Sequence, residues 1–461
     1  MRKRVLPHIL WFLLINCMIF MLLAAMQFTG SGNFPQKPSE PVAIIEQKKF
    51  DPADFVIPQA ETAQAFSDAL TRWITRIFAS WTPMAPQPNE DTVIAWNAEA
   101  IRRGSYRSAV SAIPVGFSTS PQRTWESAVY QFDRRTGVWE RAVRAIGVFE
   151  REKLSRINGL LANKELGLFS EDRLIEFLAL RGQSTVLDNI LSFAQTLDPS
   201  TLTLKTGLEI LEHSLEMDKW HPSAANPFEA FTPEILRIVA DNLHRIDDQT
   251  FVFSSGLADT ELNLRLGKAL NKWGEKSGET AWAGVGRSLL FSVISLNEGN
   301  SVPASLRIDS DTTPEEGGIF FPSAEQIGSA RLYRLLNENK NLPHATAAGT
   351  GGMWTWTATS SVNVTQSENQ MTISVEFPVG ETHYVMLRNV RPFYVLQIYD
   401  MNWRSAVDFE SYYDSSGWYY FEQERTLVIK IRQRSNVENI RINFTAPRPV
   451  QAPEPPQEQQ E

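Results

Sequence analysis

Residues Ile9 to Phe28 form a nearly unbroken apolar run directly behind Arg2, Lys3 and Arg4, interrupted only by Asn16 and Gln27. At a rise of about 1.5 Å per residue, such a run reaches about 30 Å as a helix, the thickness of a bilayer core. It predicts a single transmembrane signal-anchor from Ile9 to Phe28 within residues 1–28, with the basic cap on the cytoplasmic side. A cleaved signal peptide has a similar basic start and apolar centre. Retention is favoured because the run exceeds a usual signal core and the cleavage-site strings are poor. Ala24-Ala25-Met26 ends on methionine, and Thr29-Gly30-Ser31 is only passable. Leu14-Ile15-Asn16-Cys17 approaches a lipobox, but Asn16 replaces the small residue and the apolar run continues past the cysteine. The expected location is the inner membrane of a bacterium, with the body facing the periplasm or exterior and the bilayer as a partner through this helix.

Charge narrows the function classes. Without the three cytoplasmic basic residues, 53 acidic side chains face 41 basic ones. Such a body repels phosphate backbones, which argues against a nucleic-acid partner. Cys17 is the only cysteine. The exported body therefore has no thiol nucleophile, no cysteine-based zinc site and no disulfide, which points to a core-stabilised protein.

Prolines 35, 38, 41, 52 and 58 follow Gly30-Ser31-Gly32, so residues 29–58 read as an extended tether. Helical periodicity then dominates residues 59–340, with 89–135 ambiguous and Val110 to Phe117 open between strand and buried loop. Phe66, Leu70, Trp73, Ile74 and Ile77 share one face, as do Leu204, Leu208, Leu211 and Leu215. Ser170 is the expected N-cap of a helix carrying Leu174 and Phe177. Thr232-Pro233 should open a helix that buries Leu236, Val239, Leu243 and Ile246. Short polar loops predict antiparallel packing: a bundle, an irregular solenoid or an incomplete toroid of hairpins. A last helix, roughly Ala324 to Asn337, precedes a Gly349-Thr-Gly-Gly352 hinge.

After the glycines the period becomes two. Met371, Ile373, Val375 and Phe377 alternate with polar residues, as do Leu427, Ile429 and Ile431, and then Ile440, Ile442 and Phe444. About seven short strands over residues 353–445 predict an antiparallel β-sandwich. Residues 446–461, rich in Pro, Gln and Glu, read as a solvated tail. The fold class is thus α+β and multidomain: one transmembrane helix, a central all-α array and a C-terminal sandwich.

Motifs exclude more than they include. Asp309-Ser-Asp311-Thr-Thr313 spells the DxDxT string of phosphoryl-transfer enzymes, but it lacks the strand before and the helix after, and reads as an acidic loop. There is no nucleophile elbow, P-loop or dinucleotide fingerprint. Gly284-Val-Gly286 reads as a close helix contact. Glu209, Glu212 and Glu216 lie within two turns of one helix beside His213, and Asp241 and His244 lie one turn apart on another; if those helices faced each other, Glu212, Glu216, Asp241 and His244 could gather into a carboxylate–histidine site. A glutamate row opposite a leucine row is more ordinarily a solvated face. No metal, cofactor or catalytic residue is predicted.

Eleven aromatics fall between Phe393 and Phe421, interleaved with Asp400, Asp408, Glu410 and Asp414. Aromatic faces stack on sugar C–H faces, and carboxylates accept from hydroxyls. Trp403, Tyr412, Asp414 and Trp418 are therefore candidate ligand-binding residues, with sandwich core or interdomain packing as the plainer reading. The leading expectation is a non-catalytic envelope scaffold or binding module with a protein or glycan partner. The other is a carbohydrate-active enzyme or glycan-binding protein with an accessory sandwich.

Overall fold

The computed structural model describes residues 50–81, 89–108, 125–130, 137–297, 299–308, 320–336, 338–412 and 415–446. The run from Ile9 to Phe28, most of the tether, Val110–Phe117, Asp309–Thr313, Asp414 and nearly all of the tail lie outside them. Among the described residues, no helix is long and apolar enough to cross a membrane. The fold is α+β, with helices first and antiparallel sheets dominating the C-terminal part.

Eleven α-helices occur among the described residues: α1 (Ala63–Phe78), α2 (Glu90–Arg102), α3 (Trp125–Ala128), α4 (Val138–Ala162), α5 (Leu174–Leu180), α6 (Ser184–Ala194), α7 (Leu204–Trp220), α8 (Thr232–Asn242), α9 (Thr260–Ser277), α10 (Thr280–Ser295) and α11 (Ser329–Leu336). Amphipathic spacing explains most of them. Helix α1 buries Trp73, Ile74 and Ile77, and Thr62 caps it by accepting from Ala65 N. Helix α7 buries Leu204, Leu208 and Leu211 behind a Thr203 cap. Helices α9 and α10 pack closely because glycines let their backbones meet. A Cβ on Gly286 would stand 2.4 Å from Asn271 N, and one on Gly274 2.5 Å from Ala283 N.

Three local expectations give way to tertiary structure. Ser170 does not cap α5; it ends a 3-10 turn and its hydroxyl donates to Glu209 at 2.8 Å. Arg173 occupies the N-cap in a left-handed conformation (φ 49°), and Glu216 from α7 accepts from Ile175 N and Glu176 N instead. The orphan donors of α5 are thus satisfied across the fold rather than locally. Helix α8 stops at Asn242, so Leu243 and Ile246 belong to strand β1 (Leu243–Ile246), paired antiparallel with β2 (Gln249–Val252). Asp247, at φ 52°, makes the turn that helix continuation would forbid. The glycine stretch is no hinge. Strand β8 (His344–Ala347) already belongs to the sheet, and Gly349 to Gly352 connect it to β9 (Trp354–Thr357). There a Cβ on Gly352, whose φ is +73°, would come within 2.5 Å of Arg181 O, so the turn is packed against the end of α5.

Strands β3 (Leu257–Asp259), β4 (Ser301–Pro303), β5 (Ser305–Ile308), β6 (Phe320–Pro322) and β7 (Gln326–Gly328) form two small antiparallel sheets beside α9 to α11. The larger sheets add β10 (Ser361–Gln366), β11 (Gln370–Glu376), β12 (Thr382–Arg388), β13 (Val395–Ile398), β14 (Met401–Trp403), β15 (Gly417–Phe421), β16 (Thr426–Arg432) and β17 (Val437–Asn443). One has order β10-β11-β17-β13-β14 and the other β15-β16-β12-β9-β8. Met371, Ile373, Val375, Leu396 and Ile440 of the first meet Val385, Leu387, Leu427 and Ile429 of the second in one apolar core.

Alternation records how many faces are covered. Strand β11 alternates between buried and open positions, whereas all seven residues of β12 are buried. The second face of β12 carries Tyr384 and Met386, which join Trp354, Trp356 and Val428 against Trp139, Ala142, Val143 and Ile146 of α4. Covered faces on both sides remove the period-two signal. An ion triad ties the same junction: Glu150 of α4 binds Arg181 at 2.8 Å and also binds Arg388 of β12.

Candidate functional site

Polar side chains from α2, α3 and α11 meet in one hydrogen-bonded cluster. Asn89 caps α2 by accepting from Asp91 N at 2.8 Å, which sets Glu90 and Asp91 in the first helical turn. Short helix α3 supplies Glu126 and Ser127, both buried. Ser127 Oγ donates to Glu90 Oε1 at 3.3 Å. Arg334, from the last turn of α11, donates to Glu126 Oε2 at 2.9 Å and also pairs with Asp91.

The electrostatics of these carboxyl groups are unequal. Burial pushes the Glu90 carboxyl up to about 7, and the adjacent Glu126 adds to the rise. Arg334 and the Ser127 hydrogen bond pull it back only in part. A carboxylic acid that keeps its proton near neutrality, beside a second carboxylate held by an arginine, is the arrangement that acid–base catalysis uses. A cavity of about 540 Å³ is lined by Asn89, Asp91 and Thr92 together with Trp81, Asp259, Glu261 and Arg331; of the cluster it reaches Asp91, while Glu90, Glu126 and Arg334 lie outside its lining. Its volume suits a small-molecule or sugar-sized group.

A second group of polar side chains surrounds Arg173, which lies 3.4 Å from Glu176 and faces the charges of Asp172 and Glu216. Burial raises the Glu176 carboxyl, against the pull of Arg173. Lys268 donates to Leu335 O at 3.0 Å, and burial reinforced by Lys272 pushes its amine down to about 8. Burial also lowers His344, and Lys219 and Arg173 hold it down further.

The residues singled out from the sequence are distributed differently. Glu212 is held by Arg265, with one contact at 3.0 Å, and Asp241 sits in an exposed ion pair with Arg237. His244 lies on β1 with its ring 5.3 Å from that of Phe253. His213 is buried. Burial alone would depress it, but the bond to Glu216 dominates and raises it. Glu212, Glu216, Asp241 and His244 are each engaged with different partners, and the helix break at Asn242 places His244 on β1 rather than on the helix of Asp241. Among the described residues, no group of three potential ligands could hold a metal ion.

The aromatic stretch is largely used by the fold itself. Trp418 is buried in the inter-sheet core and its indole donates to Trp403 O at 2.9 Å. Half-buried Trp403 donates to Ile398 O at 3.0 Å, and the hydroxyl of half-buried Tyr412 donates to Asp408 at 3.2 Å. Asp414, the fourth of that set, lies outside the described residues. Glu410 is buried and accepts from Gly137 N at 2.5 Å and Trp139 N at 2.7 Å, capping α4.

Glu90, Glu126 and Arg334 escaped the sequence reading. Their only local signal was an acidic first turn after Asn89, in a stretch without clear periodicity. No known protein-family model matches the chain, and no curated protein is significantly similar to it.

Proposed function

We propose that the protein is a membrane-tethered, extracytoplasmic enzyme that cleaves a glycan by acid–base catalysis, with Glu90 as the general acid. The carrying observation is the Glu90–Glu126–Arg334–Asp91 constellation, in which one carboxyl group keeps its proton to about 7 beside another gripped by a guanidinium. Glu90 delivers its proton to the glycosidic oxygen as the bond to the anomeric carbon breaks. Water adds its hydroxyl to that carbon and passes its proton to Glu126, and exchange with solvent restores both groups. Ser127 orients the acid, while Arg334 fixes the partner carboxylate.

The finer architecture belongs to the same proposal. The two five-stranded sheets act as a β-sandwich module appended to a helical array, and the Ile9–Phe28 run holds the body on the outer face of an inner membrane. The pairing of helical array and sandwich supports the glycan assignment by fold analogy only. The test is release of reducing ends from a panel of envelope and plant polysaccharides by the full chain. Activity lost in Glu90→Gln and falling as pH rises through about 7 supports the reading. Activity unchanged in Glu90→Gln sinks it. Protease protection of intact cells tests the topology separately.

One observation favours the other reading, a non-catalytic scaffold: Arg334 neutralises both Asp91 and Glu126, as a structural ion network would. On that reading no polysaccharide is cleaved, and Glu90→Gln changes only stability.

A further inference from the structure

We propose that the cavity between residues 53–63 and the start of α10 binds a small organic monocarboxylate, whose charged end meets the buried guanidinium of Arg287. The cavity measures about 830 Å³, within the range of small-molecule sites. Ala53, Val56, Ile57 and Pro58 form one wall; Thr280, Ala281, Ala283 and Arg287 of α10 line the other. Positions 280, 283 and 287 share one helix face. The first wall is held by partners distant in sequence. Ile57 N donates to Ser288 Oγ at 3.0 Å, Thr250 Oγ1 to Phe55 O at 2.9 Å, and Arg245 Nη1 to Asp54 O at 2.8 Å. The space is therefore pre-formed, and a ligand need not order it.

Arg287 is only 7% exposed. Its Nε donates to Ala60 O at 2.9 Å, Nη2 to Glu61 O at 3.0 Å and Nη1 to Asn271 Oδ1 at 3.1 Å. All three acceptors are uncharged. A guanidinium carries five N–H groups, so one on each terminal nitrogen has no acceptor among the described residues. The nearest carboxylate oxygen, Glu275 Oε1, stands 4.0 Å from Nη1, beyond hydrogen-bond reach, on a side chain that is 54% exposed. A buried cation is ordinarily matched by a close counter-charge. Here the protein leaves that place open, on the wall of a cavity.

The helix start adds the same polarity. Glu279 at the N-cap makes no side-chain hydrogen bond to the first turn, and Ala281 N has no acceptor among the described residues. The positive end of a 16-residue helix therefore borders the cavity. A Cβ on Gly278, another lining residue, would meet nothing within 4 Å, so the mouth is open there. The lining also sets the ligand class. Two parallel N–H groups on a planar fork suit a carboxylate. Glu61 and Glu275, both exposed and both lining the cavity, oppose a dianion such as a phosphate monoester. Ala53, Val56 and Pro58 opposite Ala281 suit a short aliphatic body.

The experiment is equilibrium dialysis of radiolabelled butyrate against the full chain in detergent, with unlabelled butyrate, 1-butanol and inorganic phosphate as competitors. Wild type, Arg287→Lys, Glu275→Gln and Thr280→Trp are compared. Glu275 and Thr280 are exposed, so their variants fold even if Arg287→Lys does not. The expected result is saturable binding that only butyrate displaces. Arg287→Lys, which loses the fork, weakens it about tenfold. Glu275→Gln removes the competing charge and tightens it about threefold. Thr280→Trp fills the cavity and abolishes it. Displacement by butanol or phosphate as effective as by butyrate overturns the carboxylate assignment. Binding indifferent to both Glu275→Gln and Thr280→Trp puts the ligand elsewhere and overturns the site. Absence of saturable butyrate binding overturns the proposal outright.

Discussion

Replacing Glu90 by glutamine should make the protein more stable, and only on the alkaline side. Burial pushes the native carboxyl up to about 7, from the ordinary glutamate value of 4.5. Its folded pKa lies above its unfolded one, so the folded state binds the proton more tightly. Below 4.5 both states are protonated and the group is neutral in effect. As pH rises from 4.5 to about 7, unfolding releases a proton that folding would retain, and stability falls. Each pH unit is worth about 1.4 kcal/mol, so the loss levels off above pH 7 at about 3 kcal/mol. Glutamine keeps the shape and the Ser127 hydrogen bond without ionising. Urea unfolding followed by tryptophan fluorescence should find wild type and Glu90→Gln nearly equal at pH 4.5, with the variant firmer by about 2 to 3 kcal/mol at pH 8. The catalytic role predicts that the same change abolishes activity, a site that trades stability for function. A variant with the same midpoint as wild type at pH 8 would refute the buried-acid assignment, whatever the activity does.

His383 should work in the opposite direction. Burial lowers its pKa from 6.5 to about 4, so its contribution is complete above 6.5 and is lost as pH falls towards 4; His383→Gln should flatten the acid limb of the stability curve. Removing the Glu150 carboxylate by Glu150→Ala leaves the Arg181 and Arg388 guanidiniums, 12% and 8% exposed, facing each other without a counter-charge. A loss of about 3 to 5 kcal/mol in urea unfolding is expected, and a loss under about 1 kcal/mol would show that water already compensates them. Gly286→Ala should melt well below wild type, because its Cβ meets backbone on α9 rather than a movable side chain. Thermal unfolding by circular dichroism reads that difference directly.

Much of the fold is legible in the residue pattern, for a local reason. Apolar spacing of three and four sets α1 and α7, and alternation sets β11 and β17, because each depends on neighbours within one element. Pattern reading fails where a partner distant in sequence decides. Helix α5 begins at Leu174 because Glu216 caps it, although Ser170 offers a local cap. The glycines after β8 look like a boundary from composition, yet one of them, Gly352, lets the backbone approach Arg181.

The site lies almost entirely on that second side. Periodicity along the chain could establish that helices come first and strands last, since each element's face is written in consecutive residues. It could not bring Arg334 to Asp91 across 243 positions, or to Glu126 across 208. Nor could it raise the proton affinity of Glu90, because burial is a property of everything packed around a group. An acidic residue in a first helical turn looks the same whether it meets water or protein. Only the folded chain removes the water, and with it the charge.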